Sequence, residues 1–74
     1  MESYRMAVVI EKDAEGYFAF CPQLQGCYTQ GDTYEEALEN VEDAIRLILE
    51  DMQARGEAIP SVEGVTLTTL EVAV

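Results

Sequence analysis

The sequence predicts an α+β domain of β-β-β-α-β order, with one long helix across one face of a four-stranded, mostly antiparallel sheet. Three observations carry that prediction: a pair of alternating segments around an early turn, one capped apolar stripe of helical period, and a final alternating segment. With 74 residues the chain reads as one domain over 1–74. A domain of that size buries only about 60% of the surface its unfolded form exposes, so it is expected to be marginal alone.

Tyr4 to Lys12 sets Tyr4, Met6, Val8 and Ile10 on one face and Arg5, Ala7, Val9 and Glu11 on the other, the period of two that marks a strand. Asp13-Ala14-Glu15-Gly16 is turn chemistry. Tyr17 to Cys21 returns as a second strand, which makes a hairpin of residues 4 to 21, and Pro22 ends it because proline has no amide to donate. Cys27 to Gln30 is a third short strand, entered through Gly26 and left through Gly31-Asp32.

Thr33-Tyr34-Glu35-Glu36 has capping-box spacing: the Thr33 hydroxyl can accept from the Glu36 amide while the Glu36 carboxylate reaches back to the Thr33 amide. Ala37, Leu38, Val41, Ala44, Ile45, Ile48, Leu49 and Met52 then recur at steps of three and four, one apolar stripe. Arg55 and Gly56 close the helix, about 33 Å long from Tyr34 at ~1.5 Å per residue. A last strand is expected from Val65 to Val74. Its apolar phase slips between Val65, Leu67 and Leu70, Val72, Val74, which calls for a bulge near Thr68-Thr69 or a change of pairing partner.

One helix covers only one face, and neither phase of the first strand is properly polar. A second copy is expected to cover the other face or an edge, giving a homo-oligomer, most simply a dimer.

Fifteen acidic residues against four basic ones leave a net charge of −11. Such a surface repels a phosphate backbone, so direct nucleic-acid binding is not expected, and basic partners are favoured instead. A surface adapted to high salt is the other reading of the same charge. No stretch has the roughly 18 apolar residues of a membrane span, and the N-terminus lacks signal-peptide features, so a cytoplasmic location is expected.

The chain has no histidine, which removes Ser-His and Cys-His nucleophile pairs and the usual neutral-pH proton shuttle. Cys21 and Cys27 are too few for a structural zinc site and read as two small, partly buried thiols on neighbouring strands; a disulfide closing a tight loop is the alternative. Glu11, Asp13 and Glu15 surround the first turn and could hold a divalent cation, but lack calcium-loop spacing. Gly26 and Gly31 flank a strand, unlike a phosphate loop. No catalytic, cofactor-binding or metal residue is therefore assigned. Glu39, Glu42, Asp43, Glu50 and Asp51 lie mainly off the apolar stripe, with Glu42–Arg46 and Asp51–Arg55 at the favourable i, i+4 step.

The run Glu11-Lys12-Asp13, Gly16-Tyr17, Cys21-Pro22-Gln23-Leu24-Gln25-Gly26-Cys27, Gln30-Gly31-Asp32-Thr33, Glu35-Glu36-Ala37, Asn40, Ala44-Ile45, Gly56 and Ile59-Pro60 closely resembles the HicB-like antitoxin family, in order and spacing, from about Tyr4 to Pro60. The resemblance implies a partial ribonuclease H-like fold without that fold's catalytic carboxylates. It also implies an inhibitor that occludes the active site of a small basic mRNA-cleaving toxin of the HicA type. Longer members often carry a C-terminal DNA-binding domain; none is expected here, since the chain reaches Val74 just after the last strand. Pro22, Leu24, Gly26, Gly31, Thr33 and Glu36 match the family's motif, and their expected roles are structural: strand stop, turn and cap. Contacts to a partner are expected on Glu39, Glu42, Asp43 and Glu50. A homo-oligomeric module without a toxin, and a metal-dependent nuclease remnant built on Glu11, Asp13 and Glu15, are the other classes kept.

Overall fold

A computed structural model describes residues 3–74. Its elements are β1 (Val9–Asp13), β2 (Gly16–Phe20), β3 (Tyr28–Gly31) and α1 (Tyr34–Ala54). The three strands form an antiparallel sheet of order β1-β2-β3. An α+β fold with one long helix on an antiparallel sheet is thus present, but with three strands where four are expected.

The hairpin forms as its turn chemistry requires. Asp13 pairs with Gly16, and the Glu15 amide donates to Asp13 Oδ1 at 2.8 Å, closing the turn locally. Pairing along β1 begins only at Val9, opposite Phe20. Continued by two residues, that register would set Ala7 against Pro22, which has no amide to give. Ala7 instead donates to Gln23 Oε1 at 3.2 Å, so Tyr4 to Val8 lie outside the ladder.

Residues 65–74 hold no strand and are exposed throughout. The chain beyond α1 meets the N-terminal stretch through the Val62 amide, which donates to the Arg5 carbonyl at 3.1 Å. An alternating segment becomes a strand only when a neighbouring edge takes its amides and carbonyls. Residues 65–74 pair with neither edge of the sheet, so the predicted fourth strand is absent.

The helix agrees with its local signals. Thr33 is the N-cap, its Oγ1 accepting from the Glu36 amide at 3.0 Å. The return half of the capping box is shifted: Glu36 Oε1 accepts from the Asp32 amide at 3.4 Å, one residue before the cap. At the other end Gly56 takes φ 71°, and the bonds Glu57 N–H to Met52 carbonyl (2.9 Å) and Gly56 N–H to Gln53 carbonyl (3.1 Å) make a Schellman motif.

The core lies between sheet and helix and is built of small side chains: Ala19, Cys21, Leu24, Cys27, Ala37 and Val41 are buried. Met6, Val8 and Ile10 pack on it from the strand side, Ile45, Ile48 and Leu49 from the helix side. Leu38, expected in the apolar stripe, is instead exposed at its margin. The cross-strand row Ile10–Ala19–Thr29 faces the helix, with Thr29 Oγ1 donating to the Ala37 carbonyl at 3.4 Å. The alternate row, Val9–Phe20–Tyr28, lies on the opposite face by the pleat of the sheet.

Candidate functional site

The helix places Glu39, Glu42, Asp43 and Glu50 off its apolar stripe, which packs toward the sheet. From Tyr34 to Ala54 it carries seven carboxylates and one arginine. Glu39, Glu42, Asp43 and Glu50 are all exposed. Arg46 pairs with Glu42 Oε1 at 3.3 Å and Asp43 Oδ1 at 3.0 Å. Arg55 pairs with Asp51 Oδ2 at 2.8 Å and Glu57 Oε2 at 2.9 Å. These pairs are solvent-exposed and contribute at most about 1 kcal/mol each. Glu39 and Glu50 make no ion pair among the described residues, so the face keeps a strong negative excess.

Beside this face runs an open groove of about 700 Å³ between the N-terminal stretch and the helix. Ile45 and Leu49 form an apolar floor; Glu42, Glu50 and Arg46 form its charged rim, with Ser3, Tyr4 and Gln53 across from them. The Gln53 amide donates to the Tyr4 hydroxyl at 3.5 Å, joining the two walls. A groove with an apolar floor and an acidic rim suits long basic side chains, whose stems are apolar and whose heads are charged.

The motif residues gather at the junction of β2, β3 and the start of α1. Leu24, expected only as a turn residue, is buried at 6% exposure. It therefore anchors the loop in the core, with its amide donating to the Cys21 carbonyl at 3.1 Å. Gly26 has φ 75° in the same loop, as a turn requires. Gly31 is the end of β3 rather than part of a turn, and an added Cβ there would lie 2.6 Å from the Ala37 nitrogen. Its missing side chain is what lets the sheet touch the helix. Pro22 is exposed in the loop after β2. Two residues without an expected role also join elements: Asn40 Nδ2 donates to the Gln30 carbonyl at 2.8 Å, and Gln23 Oε1 accepts from both the Ala7 amide and Cys21 Sγ. Asn40 stands in the motif run quoted above, and it is also a polar residue within a mostly charged and apolar helix pattern.

Cys21 and Cys27 are both free and buried, each just outside the strand it was assigned to. The Cys21 amide donates to the Cys27 carbonyl at 3.2 Å, continuing the β2–β3 ladder by one bond. Burial pushes the Cys27 thiol above its ordinary 9.0 and the neighbouring Cys21 adds to this, while a backbone hydrogen bond with Cys21 draws it partly back. This is the opposite of an activated nucleophile. Around the hairpin turn, Asp13 spends one oxygen on the Glu15 amide. No group of three or more acidic or cysteine side chains converges to hold a metal ion among the described residues.

The junction of turn, cap and close-packed glycine thus sits beside an exposed acidic helix face. A family model described as the HicB-like antitoxin of bacterial toxin-antitoxin systems matches residues 5–71. The chain belongs to the HicB-like antitoxin family. A UPF0150 protein of Helicobacter pylori is similar at 49% identity over 65 residues, covering 88% of this chain and 90% of that protein. A UPF0150 protein of Synechocystis sp. is 47% identical over 58 residues, covering 77% of this chain and 73% of the relative. One from Thermoplasma acidophilum is 44% identical over 57 residues, covering 76% and 83%. UPF0150 proteins belong to this HicB-like family. No solved structure matches the chain. No helix among the described residues is long and apolar enough to cross a membrane.

Proposed function

We propose that this HicB-like chain is an antitoxin that binds a small basic HicA-type mRNA-cleaving toxin and neutralises it by covering its active site. The observation that carries this reading is the exposed acidic face of α1, with Glu39, Glu42, Asp43 and Glu50 held on a rigid element and seven carboxylates set against one arginine. An RNA-cleaving protein must present a positive surface to its substrate, and a rigid negative surface competes for the same charges. The groove over Ile45 and Leu49 adds apolar contact for the stems of the toxin's basic side chains. Membership of an antitoxin family supports a protein that acts by binding rather than by catalysis.

The test is a pull-down of the purified protein from its own cell extract at low and moderate salt, read by mass spectrometry. Recovery of a small, basic, histidine-containing protein at low salt, released at higher salt, is the expected result. Recovery of the chain alone at both salt concentrations removes the toxin from the proposal. That result would favour the second reading, a self-associating module without a toxin, to which the exposed Tyr28 and the exposed apolar side chains of residues 65–74 lend support.

A further inference from the structure

We infer that two copies of this chain form a twofold dimer in which Val65–Val74 of each lies on the outer sheet face of the other. Three observations meet in this assignment. The face of the sheet turned away from the helix carries the row Val9–Phe20–Tyr28, with Phe18 beside it between Glu11 and Gln30. Tyr28 is 75% exposed, and its ring stands 6.0 Å from that of the half-buried Phe20. The C-terminal segment likewise exposes Leu67 at 65%, Leu70 at 83% and Val72 at 72%. One copy therefore has an apolar outer face that is only half-covered and opens at Tyr28, and an exposed apolar strand-like segment.

The dimensions of the chain say how much surface is missing a partner. Its accessible area is 5997 Å², whereas a compact chain of 8.2 kDa should expose roughly 4,500 Å². The excess, on the order of 1,500 Å², is more than the ~800 Å² that each partner contributes to a standard interface. The radius of gyration is 14.2 Å, against about 11 Å for a compact domain of this length. The segment thus stands off the domain that made it.

Charge selects a second copy over the basic partner of the helix. Glu71 is the sole charge from Val65 to Val74, and Glu11 and Asp13, the latter at the turn, are the charged members of the outer sheet rows. Two chains of net charge −11 repel wherever their acidic surfaces meet. They can associate only through surfaces with few charges, and these two are such surfaces. The inference does not depend on the toxin, and its test uses the chain alone.

The experiment combines sedimentation equilibrium with isotope-filtered NOE spectroscopy on a 1:1 mixture of labelled and unlabelled full-length protein. The expected results are a mass twice the 8.2 kDa of one chain and contacts between copies from the Leu70 and Val72 methyls to the Phe20 and Tyr28 rings. Tyr28→Asp and Leu70→Asp, both at exposed positions, should each raise the dimer dissociation constant at least tenfold with the helical circular dichroism unchanged. A monomer at tens of micromolar, a dimer indifferent to both substitutions, or contacts from the segment only within one copy would each overturn the inference.

Discussion

Gly31 stands where the end of β3 meets the start of the helix. Because an added Cβ would lie 2.6 Å from the Ala37 nitrogen and 3.0 Å from Glu36 atoms, Gly31→Ala must push the helix start off β3. A loss of about 2 kcal/mol is expected, since the clash is with backbone rather than a flexible side chain. Thermal unfolding measures it, and an unchanged midpoint would mean the helix shifts without cost. The cap beside it is a milder case: Thr33→Ala should cost about 1 kcal/mol and Thr33→Asp much less, because aspartate also accepts from the Glu36 amide. Cys27 sets a pH dependence. Its folded-state pKa lies above the unfolded value, so the stability it contributes is complete below about 9 and is lost as pH rises through the folded value. The urea midpoint should therefore fall above that pH, and less so in Cys27→Ala. A slope identical in both proteins would assign the loss to other groups.

At the scale of the element, α1 has two faces with separable tasks. The inner one, with Ala37 and Val41 wholly buried, holds the fold. The outer one, with Glu39, Glu42, Asp43 and Glu50, is exposed to solvent. Replacing those four by lysine should leave the melting temperature within a few degrees, because exposed pairs contribute little. The same change should weaken binding of a basic toxin by roughly tenfold to hundredfold and flatten its salt dependence. Titration of the quadruple variant against the captured partner tests this, and unchanged affinity would move the contact elsewhere. The helix was also the most legible element. Its ends are written in side chains within four residues of each terminus, and Thr33, Arg55 and Gly56 stand where those rules put them. The strands were less legible: pairing of β1 begins only at Val9, and a continued register would set Ala7 against Pro22, which has no amide to donate.

For the whole molecule, a net charge of −11 is spread over 47 × 26 × 18 Å. Those dimensions exceed the Debye length of about 10 Å at 0.1 M salt, so added salt screens most of the self-repulsion. Unfolding followed between about 0.05 M and about 1 M sodium chloride should show the melting temperature rising by several degrees. A flat profile would leave the charge without a stability cost, and its purpose would then lie with partners alone.

The sequence by itself determined the α+β class, the hairpin turn, both ends of the helix and the charge of its outer face. Each depends on residues close in the chain or on composition, and so needs no knowledge of what packs where. The HicB-like motif was legible as a run, from about Tyr4 to Pro60. Tertiary structure decided which phase of the first strand meets the helix: Ile10 packs inward and Val9 outward, a choice that two apolar faces left open. It turned Leu24 from a turn residue into core and Gly31 into the point where sheet and helix touch. It also left Val65–Val74 without a strand, because a ladder needs an edge to pair with and pattern alone does not supply one.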